Sequence, residues 1–454
     1  MPIRMYSDIG LHSQIQKQTA KLASFLLTSK LSTDVLWNIG SLALLGASGV
    51  LMNSIIAHYQ TPRSLGIFNQ VFAFYMVLSQ FAVGGMHLSI LKYLSHTDDQ
   101  DLMATIISSG LVAIAGTSVL VAILAFRLSR LVGVLFDSKD VALGIRFISP
   151  ALVLFSLNKG LMMVFNGTRR MRAYAIFQTS RYLLFIMTII GLVLGGFAGE
   201  YLAWCFPISE FILMTVLTRF VYKFVVALGV RHVNGPWIRR HLSFGLRGFF
   251  GGMLSDLNTR VDIILLGYFH NDASVGIYSF AAAFAGGFNQ ISYVVKQNLD
   301  PIIGRLINAN SRDQLRSLIH RVVSFFLPCM ITLAIIAALL FPELIRLFIG
   351  TVYLQSWPIF VILLGGIVVN AGFRPFQGAF LLMGRPGLHS VVFLIVVVSN
   401  AVLNVLFIQR MGIMGAAMAT SLAYVIESVL TFCGIRKALM TTGDIAVGSV
   451  ASLT

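Results

Sequence analysis

Charge is scarce in this 454-residue chain, where 11% of residues are Asp, Glu, Lys or Arg, against ~25% in a typical soluble domain. That shortage excludes a water-soluble globule of this size, because too little polar surface exists to coat one. Cysteine is sparse too. Cys205, Cys329 and Cys433 fall in apolar stretches at unrelated spacing, which excludes a disulfide framework or thiolate metal site and leaves them as small apolar filler. The sequence lacks a phosphate-binding glycine loop followed by Lys, which argues against a self-contained ATP-driven pump. It also lacks HExxH, CxxC and a nucleophile elbow, and His58, His87 and His96 stand without ligand spacing. No enzymatic step, metal or other cofactor is therefore expected. The first ~30 residues have no leading apolar core and no small-residue cleavage site, so no cleavable signal is expected.

What is present is apolar sequence, 57% of residues with a mean hydropathy of +0.85. It is arranged in runs of ~20 residues, the length that crosses a hydrocarbon core of ~30 Å. Lipid offers no partners to free backbone groups, so such runs must be helices or a closed barrel. The runs lack the period-2 alternation of barrel strands, so helices are expected. The spans fall at 35–57, 67–91, 103–126, 146–166, 173–195 and 199–221, then at 243–268, 274–299, 318–341, 357–381, 388–408 and 413–435. Residues 1–34 place Leu11, Ile15, Leu22 and Leu26 on one helical face and Lys17 and Lys21 away from it, which suits a helix lying on a membrane surface; a plain solvated lead-in is the alternative.

The net charge is +16. On a soluble protein that would point to nucleic acid. On a membrane protein it reflects the excess of Lys and Arg in cytoplasmic connections, or an anionic substrate, and no nucleic-acid partner is expected. With the N-terminus inside, the inner connections hold 20 basic residues. The outer ones hold only 7: Arg63, Arg127, Arg130, Lys139, Arg146, Arg346 and Arg410. Both termini are therefore expected in the cytoplasm.

The chain divides near its middle. Residues 222–242 carry basic residues, a Gly235-Pro236 breaker and an interfacial Trp237. They read as a cytoplasmic linker between six-helix lobes at 35–221 and 243–437, with a cytoplasmic tail at 438–454. The lobes look related. Ser64-Leu65-Gly66-Ile67-Phe68 recurs as Ser274-Val275-Gly276-Ile277-Tyr278, each opening the second span of its half. Glu210 and Glu427 sit mid-span in the last helix of each half. An even number of spans per repeat sets the pseudo-twofold axis along the membrane normal, with a path between the lobes. The fold class is an all-α membrane protein of about 12 transmembrane helices, in two pseudo-symmetric lobes around a central cavity. Polar-interrupted stretches at 128–141 and 342–356 suggest a short interfacial helix or an irregular loop before each fourth span.

Ionisable residues inside spans are the informative ones, since each costs at least ~2.5–3.5 kcal/mol at mid-membrane on insertion scales unless paired or wet. Lys159, Arg181 and Arg374 fall in fourth and fifth spans, and Arg260 in the seventh. Facing inward, they would make a cationic cavity that attracts an anionic head group, with Arg gripping phosphate bidentately. Pairing across helices is the structural alternative. Arg247 and Lys296, near span ends, are expected to snorkel. Asp256 and Arg260 are four apart, which on one helix forms a self-neutralising pair. Glu210, Asp256, Asp262 and Glu427 are candidates for ion coupling, taking H+ or Na+ on a buried carboxylate. Interhelix hydrogen bonding explains the symmetric placement of Glu210 and Glu427 equally well.

Asn38-Ile39-Gly40, Ser64-Leu65-Gly66-Ile67-Phe68-Asn69 and Phe81-Ala82-Val83-Gly84-Gly85 resemble the opening of bacterial polysaccharide flippases. So does the stretch from Leu257 through Arg260 and Asp262 to Tyr268, followed by Val275-Gly276-Ile277-Tyr278. These flippases are the oligosaccharide branch of the multidrug/oligosaccharidyl-lipid/polysaccharide exporter superfamily, and the similarity covers about residues 30–437. The resemblance implies a V of two six-helix lobes in the bacterial cytoplasmic membrane. It implies a lipid-linked oligosaccharide on a polyprenyl pyrophosphate as substrate. It also implies alternating access coupled to a cation gradient, with membrane lipids and other polysaccharide-assembly membrane proteins as partners. Drug exporters of the superfamily rank second: they use embedded carboxylates, whereas the first span here has only Asp34 at its edge. Peptidoglycan-precursor flippases usually carry fourteen spans and rank lower. A non-transporting scaffold of a glycan-assembly complex is a further class. An integral glycan polymerase would need a large outer loop, and the outer segments here reach only ~20 residues.

Overall fold

A computed structural model describes residues 30–309 and 311–441, with the side chains at 30–39, 41–43, 45, 248, 250–252, 255, 256, 312, 386 and 436–441 outside that description. The expected surface helix within 1–34 and the tail beyond 441 lie outside the described residues.

Among the described residues the regular structure is helical throughout. The first half holds α1 (Lys30–Tyr59), α2 (Pro62–Val83), α3 (Met86–Leu94), α4 (Gln100–Leu135), α5 (Lys139–Gly167), α6 (Met171–Leu194) and α7 (Cys205–Phe224). The second holds α8 (Gly235–Asn258), α9 (Val261–Phe269), α10 (Asp272–Asn308), α11 (Arg312–Phe348), α12 (Ser356–Ala371), α13 (Ala379–Leu382) and α14 (Pro386–Thr441). Short 3-10 turns lead into α7 and α12, and a third, Arg374–Phe376, joins α12 to α13. The helices α2 and α3 form one crossing, as do α8 with α9 and α12 with α13. The long α14 is two helices meeting at Gly412, whose φ is 58° and ψ −133°. The twelve expected crossings are thereby accounted for, and residues 30 and 441 lie at the same end of the bundle.

Three of the differences between sequence and structure have plain local reasons. Neither 128–141 nor 342–356 makes a separate interfacial helix; α4 runs 36 residues to Leu135 and α11 runs 37 residues to Phe348. α4 runs on to its cap at Phe136, Asp137 then turns at φ 47°, and Ser138 caps α5 by accepting from Val141 N–H at 3.3 Å. At ~1.5 Å per residue such helices exceed the hydrocarbon thickness. Second, Gly235-Pro236 starts a helix instead of breaking one. Asn234 caps α8 by accepting from Trp237 N–H at 3.3 Å, and Pro occupies the first turn, where no N–H partner is lost. Third, the tenth crossing is interrupted between Ala371 and Ala379, at the Arg374-Pro375 turn.

The repeated Ser-Leu/Val-Gly-Ile motif is where the two halves meet. A Cβ at Gly66 would overlap the carbonyl of Asp272, and one at Gly276 would overlap the carbonyl of Pro62. The first turns of α2 and α10 therefore touch backbone to backbone, an approach only glycine permits. Asp272 fastens the seam: it accepts from Gln70 Nε2 at 2.7 Å and Ser138 Oγ at 2.9 Å, and Arg63 Nε lies 3.9 Å away.

The apolar core follows the same division. One continuous cluster unites both halves at the end away from the termini, where Phe68, Tyr75 and Phe206 of the first half join Tyr278, Phe280 and Phe360 of the second. At the termini end the cores separate. Ile90, Ile107, Phe165 and Leu217 form one; Ile303, Leu315, Phe376 and Ile435 form another. The two halves are thus sealed at the far end and diverge toward the termini. Toward the termini end α8 reaches across to pack on α3 and α4 while also touching α14, and α9 beyond the break packs on α14.

Candidate functional site in the cleft between the halves

In the first half, the fully buried Glu210 of α7 is the centre of a cluster. It accepts from Tyr75 Oη of α2 at 3.2 Å and from Asn158 Nδ2 of α5 at 2.7 Å. Arg181 Nε of α6 lies 2.9 Å from Glu210 Oε1. The ion pair is close but off the N–H direction, and Arg181 Nη2 is buried without a hydrogen-bond partner. The Arg181 guanidinium rests 4.5 Å from the Phe155 ring centre. Lys159 reaches the same ring at 5.6 Å and donates to Gln80 Oε1 at 3.3 Å.

The second half repeats the theme with different donors. Buried Glu427 of α14 accepts from Gln377 Nε2 and, at 3.0 Å, from Asn370 Nδ2 of α12. Arg374 Nη1 lies 3.9 Å from Glu427 Oε2 and 3.5 Å from Asn370 Oδ1. In each half, a carboxylate on the sixth crossing is held by an amide on the fourth. Asp262, at the first turn of α9, accepts from Tyr278 Oη at 2.5 Å and Thr420 Oγ1 at 3.4 Å, tying α9 to α10 and α14.

Arg260 sits at the break between α8 and α9, with its guanidinium 4.6 Å from the ring of Phe72 on α2. Rings continue from there into the first half: Phe72 stacks on Phe206, Phe206 on Tyr75, and Tyr75 meets Phe155 edge-on. Lys159, Arg181 and Arg260 thus border one aromatic wall, and Arg374 stands apart beside Glu427. The Asp256 side chain lies outside the described residues. The spacing argument for Asp256 and Arg260 needs one continuous helix; α8 ends at Asn258, so Arg260 is not on its face. Lys296, expected to snorkel, is instead 2.7 Å from Asp300 one turn on. Sequence reasoning missed Asn158, Asn370, Gln377 and Tyr75. Their signal was available: an amide inside an apolar span, directly before Lys159 and four before Arg374.

Among the described residues this arrangement offers cations and amides, the chemistry of holding an anion. Residues 31–305 match the family described as polysaccharide biosynthesis protein. The chain belongs to that family. Over 173 residues it is 26% identical to the probable low-salt glycan biosynthesis flippase Agl15 of Haloferax volcanii, a match covering 37% of this chain and 36% of that protein. The chain thus spans about a third of that relative. The fold is that of a structure of the lipid II flippase MurJ in an inward closed conformation, with TM-score 0.71, 16% identity, and 89% of this chain and 87% of that one covered. An inward-facing multidrug resistance transporter of the MATE family gives TM-score 0.71 at 13% identity, covering 89% of this chain and 96% of that one. This family member therefore has the fold of membrane flippases and exporters.

Proposed function

We propose that the protein is a flippase that carries a lipid-linked oligosaccharide, on a polyprenyl pyrophosphate, across the membrane by alternating access. Lys159, Arg260 and Arg374 hold the pyrophosphate. Arg181, paired with Glu210, sets the shape of the wall beside them. The observation that carries this reading is the pattern of sealing: one shared core at the far end and separate cores toward the termini. On this reading Lys159, Arg260 and Arg374 border a cleft between the halves that opens at one end only. The excess of basic connections assigns that open end to the cytoplasm, where lipid-linked glycans are assembled, and the membrane to a cytoplasmic one. An apolar cleft of about 380 Å³ at the seam, lined by Leu51 and Ile55 of α1 and by Phe284 and Phe341 of α10 and α11, suits a prenyl chain. Glu210, Asp262 and Glu427 are the carboxylates through which H+ or Na+ would couple the motion, and other assembly proteins would supply and collect the glycan.

The second reading is a cation-coupled drug exporter, favoured by the equal fold similarity to a MATE transporter. The experiment is reconstitution of the chain in liposomes. Transbilayer movement of a polyprenyl-pyrophosphate oligosaccharide is followed beside Lys159→Ala, Arg260→Ala and Arg374→Ala. Movement by the wild type, reduced in the variants, supports the flippase. Exchange of cations for small drugs without movement of lipid-linked sugar replaces it with the exporter. Neither activity, with any gradient or glycan, favours the scaffold.

A further inference from the structure

At the termini end, outside the cleft, α3 and α8 enclose a second basic site. Lys92, Arg239, Arg240 and Arg247 line one concavity of about 620 Å³, and among the described residues no carboxylate lines it with them. None of the four is in an ion pair with a carboxylate among the described residues. Their side chains are nonetheless directed. Lys92 Nζ lies 5.2 Å from the Phe244 ring centre and 5.6 Å from that of Tyr93. The Arg240 guanidinium lies 4.8 Å over Trp237, and Arg247 Nη2 donates to Ser243 Oγ at 2.8 Å. Four like charges repel one another, and a concavity that gathers them without an acid is stabilised by an anion between them. Leu246, beside Arg247, is 73% exposed, an apolar neighbour of the kind an acyl chain covers. Tyr93 and Trp237 are aromatic residues of the kind that sit at head-group depth.

We propose that this groove binds the phosphate head group of an anionic phospholipid of the surrounding bilayer. Bound there, the lipid bridges α3 of the first half to α8 of the second, where the second half reaches across. This site is separate from the cleft cations, and its occupancy is read without transport.

The test is native mass spectrometry and thermal unfolding of the full chain in detergent, titrated with phosphatidylglycerol, phosphatidylcholine or inorganic pyrophosphate. The wild type should retain phosphatidylglycerol selectively and unfold at higher temperature with it. Replacing all four cations by Ala should abolish the selectivity. The single variants Arg239→Ala and Arg240→Ala should each weaken retention roughly five-fold, while Arg239→Lys and Arg240→Lys keep it. The single variants decide the matter if the fourfold one does not fold. Equal retention by wild type and charge-free variants overturns the proposal. So does equal protection by inorganic pyrophosphate, which would make the groove a free-anion site. Selective retention of added polyprenyl pyrophosphate over phosphatidylglycerol also overturns it, by assigning the groove to the substrate.

Discussion

Glu210 and Arg181 show what an embedded charge costs and how it is offset. Both are buried, so removing one partner leaves the other as an uncompensated charge, a loss of roughly 3–5 kcal/mol. Arg181→Ala and Glu210→Ala should each lower the unfolding temperature markedly, whereas the double variant should lose less than the sum of the two. Strict additivity in that cycle would contradict the pairing. Glu210→Gln should be milder, because the amide oxygen still accepts from one of Tyr75 and Asn158. Lys159 and Arg374 are different: each is only partly buried, with an amide or a distant carboxylate beside it. Losing a charge-assisted hydrogen bond to phosphate costs about 1.5–3 kcal/mol. Lys159→Ala and Arg374→Ala should therefore cut affinity for a polyprenyl pyrophosphate roughly ten- to hundred-fold while leaving the unfolding temperature near the wild type. The embedded charges were legible as a set from hydropathy alone. Which were paired was not, because a contact between α6 and α7, or between α12 and α14, leaves no periodicity in the chain.

At the scale of elements, the glycines decide where helices stop and touch. Gly84 and Gly85 adopt φ of 53° and 73°, conformations that only glycine takes cheaply, and they end α2 where a continuous span had been expected. Gly66 and Gly276 act by closeness instead. Gly66→Ala or Gly276→Ala should push α2 from α10 and loosen the far end. In a background without the native cysteines, Ser64→Cys should then react faster with a membrane-impermeant thiol reagent. An unchanged rate would show that the backbone contact does not govern closure. Asp272→Ala should act in the same direction, by removing the acceptor that Gln70 and Ser138 share. The repeated motif was visible in the sequence as similarity; its reason, a crossing of two symmetric helix starts, appears only when both are in space.

Across the whole molecule, the contrast between one shared core and two separate ones defines a state. A transporter that alternates must exchange this arrangement for its opposite. Fixing the far end should therefore trap it. Arg63→Cys with Asp272→Cys, joined by a bifunctional thiol cross-linker, should still bind lipid-linked glycan from the open side yet complete no transport, and reduction of a cleavable linker should restore it. Transport by the cross-linked protein would sink the alternating-access reading. The break at Thr259 and Arg260 has its meaning at this scale too. It lets α8 lean on the first half while α9 stays with α14, so one crossing serves both halves.

The sequence by itself determined the solvent, the helices and their number, because lipid forbids free backbone groups and ~20 apolar residues measure its thickness. It also showed the internal duplication and the surplus of embedded basic residues. The tertiary structure alone decided which charges are neutralised by a neighbour, where helices bend, and at which end the halves are sealed. Those outcomes depend on contacts between crossings far apart in the chain, and hydropathy, which reports only how each residue meets lipid, is the same on both sides of such a contact.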